Sequence, residues 1–201
     1  MTTTEKVSRK DQILQTLVHM LETQPGARIT TANLAREVGV SEAALYRHFP
    51  SKARMFEGLM SYIEEVVFSR VKMILQDFES AEERCQHIMT LVLTFAEKNP
   101  GMSCLMSGDA LAGETERLRS RMQQLFERLE TQIKQVLREA EIREGLLPTQ
   151  TVTAEANLLV SILEGRIRQY VRSEFDRKPT ENWQDQWAML SPALLRPRQE
   201  N

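Results

Sequence analysis

"ITTANLAREVGVSEAALYRHFPSK", Ile29 to Lys52, holds two short runs of helical periodicity joined by Gly39 and Val40. In the first, Leu34, Ala35 and Val38 share a face, Thr30 or Thr31 can cap the start, and Gly39, free to adopt left-handed backbone, ends it. In the second, Ser41 caps, Ala44, Leu45 and Phe49 point inward, and Pro50 stops the helix. Two helices meeting at a sharp angle need a small residue at the crossing, a corner residue tolerant of positive φ, and an apolar lock in the second helix. Ala35, Gly39 and Leu45 meet those needs, so the stretch reads as a helix-turn-helix. Val40 joins Leu34, Val38 and Phe49 in a small core that closes against Ile13, Leu17 and Leu21 of a preceding helix. The same Ala-x-x-x-Gly corner also occurs in helical bundles that bind nothing.

Working outward, helix is expected nearly everywhere. A long helix opens at Ser51, with an apolar stripe through Met55, Leu59, Ile63, Val66, Val67 and Ile74. "AEERCQHIMTLVLTFAEKN" follows, expected to close at Asn99-Pro100-Gly101, and "CLMSGDALAG" gives a shorter helix. In "ETERLRSRMQQLFERLETQIKQVLREAEIRE", Leu118, Met122, Leu125, Leu129, Ile133, Val136 and Ala140 form a seam at steps of four and three, with charge on its flanks. "VTAEANLLVSILEGRIRQYVRSEF" is the last long amphipathic helix. No segment alternates as a strand, and no repeat or low-complexity tract is present. The fold class is therefore all-α. The expected division is a polar, disordered start over 1–8, a helix-turn-helix domain over 9–52, a helical regulatory and dimerisation domain over 53–190, and a tail over 191–201.

Composition is that of an ordinary globular chain: 41% hydrophobic and 27% charged over 201 residues. The start lacks a signal-peptide pattern and no run reaches the roughly 18 apolar residues of a bilayer span, so a cytoplasmic protein is expected. The net charge of -2 divides unevenly, with +2 on residues 1–60 and -4 on the rest. That asymmetry favours an anionic partner for the first third, and a bland solvated surface explains it equally well. Two cysteines, Cys85 and Cys104, make no disulfide framework and stand in no metal-ligand spacing. His19, His48 and His87 are scattered, Glu64-Glu65 and Glu82-Glu83 read as charged helix faces, and no phosphate loop or nucleophile elbow appears. Neither enzyme chemistry, nor a cofactor, nor a metal is expected.

The wording of Ile29 to Phe56 closely resembles the DNA-binding domain of the TetR family of bacterial regulators, most diagnostically in "YRHFPSK". The resemblance implies a three-helix head on an all-α body that forms a homodimer through its last long helices. Two heads would then meet the half-sites of a palindrome in double-stranded DNA. Helical geometry turns Ser41, Glu42, Ala43, Ala44 and Arg47 toward the groove. Small side chains permit close approach, an Ala can touch a thymine methyl, and Arg47 can grip guanine or phosphate. Thr30, Thr31, Tyr46, His48 and Lys52 would hold phosphates, with Arg9 in a basic arm. Each also has a structural reading: Tyr46 packing the head, His48 capping its helix, Lys52 solvated, Arg9 and Lys10 in a frayed end.

Further runs, "EKNPG", "RMQQLFERLE" and "YVRSEF", extend the resemblance from about Arg9 to Trp187 and toward the family's nucleoid occlusion branch. That branch implies a nucleoid-associated protein whose partner is the C-terminal tail of the tubulin-like division GTPase FtsZ, bound between the fourth and fifth helices. The positions that correspond are Tyr62, Arg70, Leu91, Thr94, Lys98 and Asn99. Tyr62 stands where the branch has Phe, Lys98 where it has Arg, Thr94 where it has a smaller residue; Cys104 and Asp109 also depart from it. Without the resemblance, Arg70 and Lys98 read as solvated charges and Leu91 as core. For the dimer, Leu158, Leu159, Ile162, Ile167 and Val171 are the expected pairing face, with mixed core and interface roles open. Gly165 marks either close helix approach or a lenient surface. The alternative function is a TetR-type repressor released from a promoter by a small apolar ligand held in the body.

Overall fold

The computed structural model describes residues 8–197, and among them the chain is a set of α-helices with one very small sheet. The head is α1 (Arg9–Thr23), α2 (Thr31–Val38) and α3 (Glu42–His48). Ser8 and Asp11 open α1 with a reciprocal capping box, which places Arg9 and Lys10 in the first turn of a helix. The basic arm is therefore helical over these two residues; the start assigned to 1–8 otherwise lies outside the described residues. Thr30 and Ser41 cap α2 and α3 through bonds from the amides of Asn33 and Ala44, each 3.2 Å. Gly39 sits at φ 76°, ψ 36°, and its N–H and that of Val40 satisfy the last carbonyls of α2. Ile13, Leu17, Leu21, Leu34, Ala35 and Leu45 are buried, with Val38, Val40 and Phe49 packed on them, as the periodicity required.

The body is α4 (Lys52–Asp77), α5 (Ala81–Lys98), α6 (Pro100–Met106), α7 (Glu116–Glu144), α8 (Val152–Arg172) and α9 (Trp183–Leu190). The Asn99-Pro100-Gly101 run does more than end α5. Pro100 is the first residue of α6, a position where its missing N–H costs nothing, and the helix ends at Met106 before a left-handed Gly108. The expected helix over 104–113 is thus displaced toward Pro100, leaving a 3-10 turn at Asp109–Leu111. Two short strands appear where none was expected. Leu195–Pro197 (β2) pairs antiparallel with Leu146–Pro148 (β1), Leu147 opposite Arg196, and α9 buries Trp183 and Trp187.

The seam of α7 is core throughout: Leu118, Met122, Leu125, Leu129, Ile133, Val136 and Ala140 are all buried within the protomer. On the expected pairing face of α8 the roles divide. Leu159, Ile167 and Val171 are buried against the protomer's own core, whereas Leu158 is exposed and Ile162 and Gly165 are half-covered. Two charged groups tie elements together. Buried Arg84 donates to the carbonyls of Phe78 (2.7 Å) and Leu75 (3.0 Å) at the end of α4 and faces Glu139 of α7. Arg121 of α7 grips both carboxylate oxygens of Glu64 at 3.0 Å and the Glu57 carbonyl on α4.

Head and body share one continuous hydrophobic core. The joint between them is the crossing of α1 on α6, where Gly101 lies directly against the backbone of Val18.

Candidate nucleic-acid interface and partner groove

On the head, α3 presents Ser41, Glu42, Ala43, Tyr46 and Arg47 to solvent while Leu45 is fully buried; Ala44 and His48 are half-covered. Arg47 has no ion pair or hydrogen bond among the described residues, so its guanidinium is free to bind. Thr30 and Ser41 each accept a capping bond, which leaves the hydroxyl proton of each available to an acceptor such as a phosphate oxygen. Arg9 is exposed at the start of α1.

Three of the expected contacts are already engaged with one another. The Thr31 hydroxyl donates to the Glu42 carboxylate at 2.9 Å, and the Tyr46 hydroxyl donates to Thr31 at 3.3 Å. This chain pins α2 to α3 across the outer face, and Tyr46 is exposed rather than packed into the head. Thr31 has therefore spent its only proton, and Glu42 serves the helix pair before any base. Lys52 departs furthest from expectation. Its ammonium donates to the Ile29 carbonyl at 2.6 Å and pairs with Glu114 at 2.5 Å, so it is turned toward the body, where it bridges the α1–α2 connection to the segment before α7.

On the body, all six expected partner positions come together. Tyr62, Arg70, Leu91, Thr94, Lys98 and Asn99 line a single groove of about 410 Å³ between α4 and α5. The geometry follows from i, i+4 spacing on two facing helices: Tyr62, Val66, Arg70 and Ile74 line one wall, and His87, Leu91 and Thr94 run up the other. Leu91 is half-covered and lines the groove instead of lying in the core. Arg70 and Lys98 are exposed and have no ion pair among the described residues. The floor is firm, since the His87 ring stacks on Phe78 with centroids 3.8 Å apart and the Asn99 amide donates to the Phe95 carbonyl at 2.7 Å. Val66, Ile74, His87 and Thr90 were not expected here; the four-residue step from Tyr62, Arg70 and Leu91 was the signal that finds the first three.

An extended segment with apolar side chains and negative charge suits such a surface: apolar footing at Tyr62, Val66 and Leu91, and two unengaged cations to attract it. Among the described residues no His, Cys, Asp or Glu group is arranged to hold a metal ion, and no helix is long and apolar enough to cross a membrane.

Two family models match the chain. One, bacterial regulatory proteins of the tetR family, covers residues 13–59; the other, the SlmA-like type of tetracyclin repressor-like C-terminal domain, covers 79–195. Among curated proteins the chain is 59% identical over 191 residues to the nucleoid occlusion factor SlmA of Marinomonas sp. strain MWYL1, spanning 95% of this chain and 97% of that one. It is 57% identical, over the same shares, to the protein of that name from Shewanella amazonensis. Solved structures of similar shape include the fatty acid degradation regulator FadR of Bacillus halodurans, with TM-score 0.79, 13% identity, and 96% and 100% of the two chains covered. The ketosteroid regulator KstR2 of Mycobacterium tuberculosis gives TM-score 0.75 at 18% identity over 96% and 97%. At such identities these two share the fold with this chain.

Proposed function

The chain belongs to the TetR family of bacterial regulatory proteins, in the group with a SlmA-like C-terminal domain, and from that premise we propose that it is a nucleoid occlusion factor. As a homodimer it sits on palindromic DNA sites, and while bound it takes the C-terminal tail of FtsZ into the α4–α5 groove and antagonises FtsZ polymers over the nucleoid. The heads read DNA through the close fit of Ser41, Ala43 and Ala44 and the grip of Arg47, with Thr30, His48 and Arg9 on phosphates. Specificity by fit accords with a recognition helix that offers only one long cation to the groove. The dimer forms through α7 and the outer side of α8, where Leu158, Ile162 and Gly165 are open to a second copy.

The observation that carries the reading is the convergence of Tyr62, Arg70, Leu91, Thr94, Lys98 and Asn99 on one groove whose two cations have no ion pair among the described residues. The curated relatives bearing the nucleoid occlusion name match across 95% of this chain, head and body alike. A repressor released by a small apolar ligand would enclose that ligand in the body. Here Ile88, Met89, Val92, Leu93, Leu129, Ile133 and Leu163 fill the interior as part of one packed core.

The test is binding of a fluorescent FtsZ tail peptide to the DNA-bound protein, with Arg70→Glu and Lys98→Glu as variants. Each reversal is expected to weaken the peptide by roughly tenfold or more at low salt, while operator binding stays as in the parent. Unchanged peptide affinity in both variants would refute the groove as the FtsZ site.

A further inference from the structure

Lys52 opens α4, two residues past Pro50, and its neighbour across the head is the start of α2. The Ile29 carbonyl that it binds belongs to the residue just before Thr30, the cap whose hydroxyl proton is free for a phosphate. The ammonium is nevertheless drawn away from that edge, into a cleft of about 360 Å³ between the α1–α2 connection and the segment before α7. There it donates to Ile29 at 2.6 Å, pairs with Glu114 at 2.5 Å and lies 5.6 Å from the centre of the Phe56 ring. Both side chains of the pair are largely covered, with 19% and 17% exposed. The two partners are not equally free to move. Glu114 is fixed from the body: Arg119 donates to its carbonyl, its own N–H donates to the Leu111 carbonyl at 3.0 Å, and Leu111 is buried. Lys52 hangs on a flexible four-carbon stem, so the carboxylate stays in place while the ammonium can swing.

We propose that Glu114, a residue of the body, is a positioning residue for DNA binding: it holds Lys52 off the phosphate backbone, and DNA gains this cation only by withdrawing it from Glu114. A fixed carboxylate and a phosphate thus compete for one ammonium. Low salt favours the phosphate, because each cation brought to DNA releases condensed counterions, whereas a carboxylate in a cleft releases none. The competition is reciprocal. Whatever tightens the Lys52–Glu114 pair weakens DNA binding by the same factor, and DNA, in taking Lys52, frees the segment before α7 from the head. Occupancy of the head is thereby felt in the body at Glu114, by a route separate from the crossing of α1 on α6. A simple brace between head and body predicts the opposite sign, since loosening a brace weakens DNA binding.

The proposal rests on the head binding DNA beside the α2 and α3 caps, and the experiment separates the two. A duplex that the full-length protein recovers from a random-sequence pool, and an unrelated duplex of equal length, are titrated by fluorescence anisotropy over a range of KCl concentrations. The proteins are the parent, Glu114→Gln, Lys52→Met and the double variant. Asp109→Asn is the charge control, since Asp109 lines the same cleft, is exposed and has no ion pair among the described residues. Glu114→Gln is expected to bind both duplexes about threefold or more tighter at low salt, with log K falling more steeply against log salt by about 0.9 for each head. In the Lys52→Met background the same substitution should change neither quantity, and Asp109→Asn should change them far less. Weaker binding by Glu114→Gln, with a lower Tm, would make the pair a brace and overturn the proposal. So would a gain that persists without Lys52, or one that Asp109→Asn reproduces. Should Lys52→Met fail to fold, the slope of Glu114→Gln against the parent decides, and an unchanged slope overturns the proposal. If the pool yields no duplex that the parent binds, the DNA reading of the head falls and this proposal with it.

Discussion

Gly101→Ala is a one-carbon change whose consequence can be worked from the contact it breaks. A Cβ at Gly101 would lie 2.9 Å from Val18 Cγ1 and 3.0 Å from the Val18 carbonyl carbon, and nearer still to the carbonyl oxygen. Ordinary contact begins near 3.4 Å, so to clear the carbonyl oxygen α1 and α6 must separate by about 1 Å. A side-chain neighbour could swing away, but here the obstacle is helix backbone, which moves only with the whole of α1. Overpacking of this kind costs about 1–3 kcal/mol. The helix-propensity gain of Ala over Gly, about 1 kcal/mol in a helix interior, is reduced at the second residue of a seven-residue helix. For a chain of this size each kcal/mol moves Tm by roughly 2–4 °C, so a fall of roughly 2–12 °C is expected in thermal unfolding. Because α1 carries the head, operator affinity should fall in the same variant. The contrasting variant is Gly165→Ala, whose Cβ meets nothing within 4 Å among the described residues. It should leave protomer packing intact, yet weaken the dimer in sedimentation equilibrium if a second α8 approaches there. A Gly101→Ala protein that melts within about 1 °C of the parent and binds DNA equally well would refute the tight α1–α6 joint.

Other outcomes follow from the same structure. Arg47→Ala should lose ~1–3 kcal/mol on a specific site and less on random DNA if the guanidinium grips a base; equal losses in both would mark it as a phosphate contact. Arg84→Ala removes donors from two carbonyls at the end of α4 and leaves Glu139 without this partner, so a loss of about 3 kcal/mol or more in urea unfolding is expected, partly restored by Arg84→Lys. Burial, then the Glu155 and Glu144 carboxylates, push the Cys85 thiol up to about 12; burial, then Asp109 and Glu22, do the same for Cys104. The unfolded chain ionises these thiols near 9.0, so the stability they confer is complete below that pH and declines as pH rises from 9 toward 12. The urea midpoint should therefore fall less steeply above pH 9 in the Cys85→Ala, Cys104→Ala double variant than in the parent. A chromogenic disulfide reagent at pH 8 should find both thiols silent until the protein unfolds, since both are buried.

Much of the head was legible because its rules are local. Thr30 and Ser41 as caps, Gly39 at positive φ and Leu45 as the buried lock are decided within four or five residues of each position. The seam of α7 was legible for the same reason, as periodicity reveals which face is apolar. Periodicity does not say what that face meets. Leu159, Ile167 and Val171 form a face suited equally to a second copy or to the protomer's own α5, α6 and α7, and the protomer took them. Trp183 and Trp187, one turn apart, were a visible sign of α9 among polar neighbours, and the β1–β2 pair joins segments about fifty residues apart with no alternation to announce it.

The residues alone determined the all-α class, the helix-turn-helix and, through their resemblance to a family, the six positions of a partner groove. Only the tertiary structure decided that those six share one surface, that Lys52 turns from the DNA side to Glu114, and that Thr31, Glu42 and Tyr46 bind one another. The division has a physical cause. Caps, corners and apolar stripes depend on neighbours along the chain, whereas a groove, an ion pair between helices or the choice between core and interface depends on which distant faces the packed core brings together.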